Sequence, residues 1–141
     1  MDSRVFVDSD VVISSLISSK GAAYHLIHEV DIKRFISNRS IEELGRVVEE
    51  LGINVESFNK VIEEKFSKTE IKDSLSAIKK EYREYVNDEN DAHVVAGAAR
   101  AKSKFIITYN QRDFKQDKIK DDLSIILMTP AQFLQYLRSL L

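Results

Sequence analysis

Two short, unbroken apolar runs constrain this chain most: Val5-Phe6-Val7 and Phe105-Ile106-Ile107, each passing directly into polar residues. A strand that alternates apolar and polar residues faces water on one side. A strand that is apolar throughout is buried on both, as in a parallel sheet covered by helices on its two faces. Further short strands are expected at Phe35-Ile36 and from Ser124 to Met128. Val11-Val12-Ile13 leads into a helical stretch around Ala22 to Val30. Ile41, Leu44, Val47, Val48 and Leu51 recur at helical spacing until Gly52 stops them, and a further helix runs from about Asn90 to Lys102. Pro130 opens a last helix after the final strand. The lysine- and glutamate-rich stretch from Val55 to about Val86 predicts two amphipathic helices, broken near Ser67 to Thr69 and serving as a cover. The segment between Thr108 and Ser124 reads as a polar loop. The expected fold is α/β with a central parallel sheet, and in such folds ligands bind beyond the carboxyl ends of the strands.

The 141 residues suit one domain spanning 1–141, with no internal repeat or linker. Met1-Asp2-Ser3-Arg4 runs straight into the first strand, and no stretch approaches the ~20 apolar residues of a membrane span. The expectation is a cytoplasmic protein without a membrane partner. The absence of cysteine excludes disulfides and thiolate metal sites, and His25, His28 and His93 show no ligand spacing. Any bound metal would be held by oxygen. The net charge of -2 hides an uneven distribution: residues 100–120 carry seven basic side chains against two acidic ones. That block permits a polyanionic partner, and a solvated loop explains it equally well.

Acidic residues recur where strands end and helices begin. Asp8 closes the first strand, followed by Ser9 and Asp10; any of the three also suits a helix N-cap. Glu43 lies at the edge of its helix's apolar stripe, where it can reach a cleft, while Glu42 faces water. The plainer reading of Glu43 is a capping box with Ser40. Asp91 heads the buried stripe of its helix, where a carboxylate must be capped, paired or bound to a cation. Alternatively, Asp88 and Asp91 are helix-start acids favoured by the dipole. His93 is expected on the other side of that helix, facing solvent. After the strand at 105–108, Thr108 and Asn110 are placed to orient a ligand and Asp113 to supply another acid, although the segment also reads as an ordinary polar turn. If these acids meet in one cleft, their repulsion calls for cations, and hard oxygen donors favour Mg²⁺ or Mn²⁺.

The run Val5 to Ser14, then Ile36-Ser37 with Glu43-Leu44, then Asp88-x-x-Asp91 before an alanine-rich helix, then Ile107-Thr108-x-Asn110-x-x-Asp113-Phe114, resembles the PIN-domain family. The resemblance covers nearly the whole chain, ending at Met128 to Leu134, and the length is similar to that of VapC-type toxins. It implies a three-layer α/β/α domain and a metal-dependent endoribonuclease using one or two Mg²⁺ or Mn²⁺ ions. The implied ligands are Asp8, Glu43, Asp91 and Asp113, supported by Ser9, Asp10, Asp88, Thr108 and Asn110. Arg112, Lys115 and Lys118 would hold the RNA backbone, and the products would carry 5′-phosphate and 3′-hydroxyl ends. A cognate antitoxin and a homodimer are the implied protein partners. Asp10 stands where many members have asparagine, and Asn110 where a subset has aspartate, which leaves open whether Asp113 completes the site and whether one metal or two bind. A haloacid-dehalogenase-like phosphatase, which Asp8-Ser9-Asp10-Val11-Val12 also resembles, and a catalytically inactive RNA- or protein-binding module are the alternatives.

Overall fold

The alternation of side chains along the central strands divides the interior in two. In the computed structural model, which describes residues 3–141, Val5 and Val7 point into one core while Phe6 points into the other. Phe105 and Ile107 likewise oppose Ile106. Met1 and Asp2, part of the charged opening read above, lie outside the described residues.

The strands are β1 (Arg4–Val7), β2 (Lys33–Ser37), β3 (Ser67–Thr69), β4 (Phe105–Ile107) and β5 (Ile126–Met128). They form one sheet in the order β3-β2-β1-β4-β5, every neighbouring pair parallel. On one face pack α1 (Ser9–Ile17), α2 (Ala22–His28), α3 (Asn38–Glu50), α4 (Val55–Lys65) and α8 (Pro130–Ser139), through Val12, Leu26, Leu44, Ile62 and Phe133. On the other pack α5 (Leu75–Tyr82), α6 (Ala92–Arg100) and α7 (Gln116–Leu123), through Ile78, Val95 and Ile119. This is the expected three-layer α/β/α arrangement. From β1 the chain moves outward through β2 and β3, then returns to place β4 on β1's other side. The β1/β4 junction is therefore the switch point of the sheet, where a crevice opens beyond the strand ends.

Several local expectations change. Ser67 to Thr69 does not merely separate two helices; it pairs with β2, Ile36 opposite Lys68, as an edge strand. Three residues with two exposed to solvent carry no apolar signal, so only the neighbouring strand's unpaired backbone reveals it. The polar loop after Thr108 contains α7, anchored by the single fully buried Ile119. Val11 to Ile13 belongs to α1, a helix separate from α2. Gly52 does end α3, just beyond it at φ +67°, the left-handed conformation that terminates helices.

Helix α6 lies against the middle of the sheet because it is built from small residues. A Cβ placed on Gly97 would stand 2.5 Å from Phe6 Cζ, inside van der Waals contact with a fully buried ring. Gly97→Ala gains about 1 kcal/mol of helix propensity, and overpacking of this kind costs about 1–3 kcal/mol. We expect a net loss of about 1 kcal/mol, read as a lower urea midpoint at unchanged slope. A stabilised variant would show that α6 has room to move off the sheet.

Candidate active site

The register of β1 and β4, Val7 opposite Ile107, sets Asp8 and Thr108 side by side at the switch point. The Asp8 amide donates to the Ile107 carbonyl at 2.9 Å, continuing the ladder one residue past the strand. Its carboxylate then caps α1, Oδ1 accepting from the Ser9 amide at 2.8 Å and Oδ2 from the Thr108 hydroxyl at 2.9 Å. The N-cap reading of Asp8 is therefore correct, and it does not cancel the charge. Burial, followed by the negative charge of Asp10, pushes the Asp8 carboxyl up to about 7 against the pull of its hydrogen bonds. Some of the residue still reaches solvent at the crevice mouth.

Two residues along, Asp10 reaches back to the loop after β4. Its Oδ2 accepts from the Tyr109 amide at 3.0 Å and from Asn110 Nδ2 at 3.1 Å. The Thr108 hydroxyl has one proton and gives it to Asp8, since Asp10 Oδ2 lies at 3.5 Å. Asn110 donates its own amide to Thr108 Oγ1 at 3.0 Å, which locks that hydroxyl in orientation. Asp10 Oδ1 is buried with no hydrogen-bond partner, and so is the neighbouring Ser9 Oγ. Burial raises the Asp10 carboxyl, with Asp113 adding repulsion.

Glu43 comes from α3, which starts earlier than its capping-box reading required. The cap is Ser37, accepting from the Ser40 amide, and Ser40 is already within the helix and fully buried. Glu43 thus has no capping role. Instead Oε2 sits 3.3 Å from His93 Nε2, and this contact, ahead of all other influences, holds the Glu43 carboxyl below its ordinary value. The expectation that His93 faces solvent is overturned: its side chain is 9% exposed, and Nδ1 is buried without a partner. The reason is that α6 has no polar face, since every residue from Ala92 to Ala98 is buried between the sheet and α5. The absence of any charged side chain between Asp91 and Arg100 was the legible sign of a helix enclosed all round.

Asp91 stands at the N-cap of α6 but makes no capping hydrogen bond. Its carboxyl is raised to about 6, first by burial and then by the charges of Asp113 and Asp88. Asp88 follows the plainer reading: exposed, it caps the short 3₁₀ turn Glu89–Asp91 by accepting from the Asn90 amide. Asp113 lies half-buried in a 3₁₀ turn after β4, and its carbonyl accepts from the Asn87 amide. Asp8 and Asp91 both feel Glu43, and Asp10 and Asp91 both feel Asp113. Five acids are thereby coupled through one crevice. The basic block does not follow them as a unit. Arg100 pairs with Asp73, Lys104 precedes β4 at the opposite rim, and Lys118 pairs with Asp122 at 3.2 Å. Arg112 and Lys115 stay exposed on the loop beside the crevice.

The donor set suits a hard dication: carboxylate oxygens dominate, one of them buried and unpartnered, and Asp8 and Asp91 are raised first by burial and then by the charges of the neighbouring acids. Among the described residues no three acidic or histidine side chains are already arranged around a single point, so binding would require carboxylate rotation. A parallel α/β/α domain with an acid-lined crevice at its switch point is the class that fold and site define. A family model described as PIN domain matches residues 4–112, and the chain belongs to that family. PIN-domain proteins are generally nucleases and generally use divalent metals. The phosphatase alternative falls with this membership.

In fold the chain is similar to VapBC2 from Rickettsia felis bound to a DNA fragment from their promoter, with a TM-score of 0.60 at 13% identity over 89% of this chain and 98% of that one. VapBC-1 from nontypeable Haemophilus influenzae gives 0.60 at 14%, over 91% and 98%. FitAB bound to an IR36 DNA fragment gives 0.55 at 14%, over 89% and 94%. No curated protein matches the sequence.

The raised carboxyls set a pH dependence. Native Asp8 keeps its proton to about 7, whereas the unfolded chain releases it near 3.8. Between those values the native state binds more protons, so raising the pH costs stability. Metal-free protein should lose up to a few kcal/mol between about pH 4 and pH 7, with Asp91 adding a smaller, solvent-screened share. Asp8→Asn should flatten that decline in urea titrations, and an equal slope in the variant would remove Asp8 as its source.

Proposed function

We propose that this protein is a metal-dependent endoribonuclease and the toxin of a toxin-antitoxin pair. The observation that carries the reading is the coupled acid crevice itself, in which Asp10 Oδ1 is buried without a partner and Asp8 is driven up to about 7. Charge this costly is maintained where a cation is to be bound. Asp8, Glu43, Asp91 and Asp113 would hold one or two Mg²⁺ or Mn²⁺ ions, with Asp10 adding its free oxygen. Ions so held supply positive charge to the scissile phosphate and acidify water for in-line attack. The chain's own residues do the positioning. Thr108 and Asn110 fix the faces that Asp8 and Asp10 present, and His93 holds Glu43 toward the crevice. Arg112 and Lys115, exposed beside it, would meet phosphates of the RNA.

Antitoxin binding is supported by the similarity to VapBC and FitAB structures and by Ile17, Leu51 and Val55, large apolar side chains exposed on α1 and at the α3/α4 junction. A homodimer and a cytoplasmic location belong to the same proposal; among the described residues no helix is long and apolar enough to cross a membrane. The second reading, an inactive PIN-like module that binds RNA or protein, is favoured by one observation: Asp10 Oδ2 is already engaged by Tyr109 and Asn110.

Asp8→Asn separates the two readings. If the acids work on metal, Mn²⁺-dependent cleavage of single-stranded RNA falls by more than about 100-fold while thermal stability without metal is equal or higher. Mn²⁺ should also raise the melting temperature of the wild type and leave that of Asp8→Asn unmoved. Equal turnover, or no Mn²⁺ response in the wild type, would overturn the nuclease reading in favour of the inactive module.

A further inference from the structure

Beyond Arg112 and Lys115 on its α7 side, the crevice has a larger set of basic side chains on the other. A cavity of about 230 Å³ beside Glu43 and His93 is also lined by Arg39, Arg46 and Lys79, and by Glu42, which lies 3.7 Å from Arg39. Lys79 lines a second, larger cavity of about 490 Å³ as well, together with Lys80, Arg83 and Glu89. The two adjoin at that lysine, forming a track from α3 across α5 that begins at Glu43.

Charge pairing and number distinguish this track from the 112–118 segment, where Lys118 is paired and only Arg112 and Lys115 make no ion pair among the described residues. Helix α7 carries Asp117, Asp121 and Asp122 against Lys118 and Lys120, and Lys118 is committed to Asp122 and to the Tyr85 ring. On α5 the one acid, Glu81, lies 3.6 Å from Arg100 and away from the track. Among the described residues Lys79, Lys80, Arg83 and Arg46 make no ion pair, and the charge of Arg46 helps to lower the Glu43 carboxyl. Lys79 and Arg83 are four residues apart on one side of the chain, a like-charge spacing unfavourable to a helix. Complementing the helix dipole accounts for Lys79 and Lys80 in the last turn of α5. It does not account for Arg46, in the middle of α3, lining the same cavity. The walls are also fixed relative to each other. Asn38 exchanges two hydrogen bonds with the Ile71 backbone, at 2.8 and 3.0 Å, and Arg39 donates to the Asp73 carbonyl at 2.8 Å.

We propose that this α3/α5 track, through Arg46, Lys79, Lys80 and Arg83, carries the phosphate backbone of a single-stranded RNA into the crevice, and is the principal backbone contact. The proposal rests on the nuclease reading and names where its substrate lies.

The test is fluorescence anisotropy of a short fluorescein-labelled single-stranded RNA, in Ca²⁺ to neutralise the carboxylates, over a range of salt. Three proteins are compared: wild type, K79A/K80A/R83A and R112A/K115A. Each removed phosphate contact lowers the salt slope by about 0.7 for a single strand, so the α5 variant should lose about 2 from the slope and roughly tenfold in affinity at low salt. R112A/K115A should change less. Because the substituted side chains lie at the surface, melting temperatures should coincide, and R46A serves as a second variant on α3. If the wild type binds RNA and R112A/K115A loses more than the α5 variant, the track is overturned while the nuclease reading stands. If the wild type binds no RNA under any condition, the reading beneath it fails as well.

Discussion

The structure depends on the junction of β1 with β4. Apart from Arg4 at its start, β1 is apolar and buried on both faces, as β4 is throughout, so one edge of each must pair with the other, and a buried pairing of this kind fixes the register. That register carries Asp8 and Thr108 out of the sheet together. The first polar side chain after β1 therefore emerges where water is scarce and where α1 begins. Its hydrogen bonds satisfy the oxygens, but only a positive charge can offset the charge they carry. The same junction brings Asp10 against the loop after β4, across nearly a hundred residues of sequence.

The second determinant is the smallness of α6. Gly97 admits the Phe6 ring, and the alanines around it let the helix lie against β1, β2 and β4 while α3 and α5 close over it. Close packing explains how Asp91 and His93 come to face a glutamate from the other helical layer. It also explains why His93 is buried although it sits at a helix position that amphipathic spacing assigns to solvent. Its contact with Glu43 lowers that carboxyl in a crevice that raises those of Asp8, Asp10 and Asp91. The result is a graded set, with Glu43 held below its ordinary value and Asp8 and Asp91 raised above theirs.

Fold and site were legible in the sequence to different degrees. The unbroken strands announced a parallel sheet, the strand ends marked Asp8 and Thr108, and the resemblance to the PIN-domain family agrees with the family model that matches residues 4–112. Elements held by one contact were not legible: β3 exists through pairing with β2, and α7 through Ile119. The capping box at Ser40 failed because Ser37, three residues earlier, caps first. The basic run at 100–120 failed as a unit because chain proximity is not spatial proximity; its members divide between two rims and several are paired.

The sequence by itself determined which segments are buried, and hence a parallel sheet with its acids at strand ends, because apolar periodicity and strand termini are properties of neighbouring residues. Only the tertiary structure decided that His93 belongs with Glu43, that Asp10 keeps an unpartnered oxygen, and which cations remain unpaired beside the crevice. Those are contacts between residues far apart in the chain. Their energies depend on solvent exclusion and on the charges brought alongside, which local spacing does not encode.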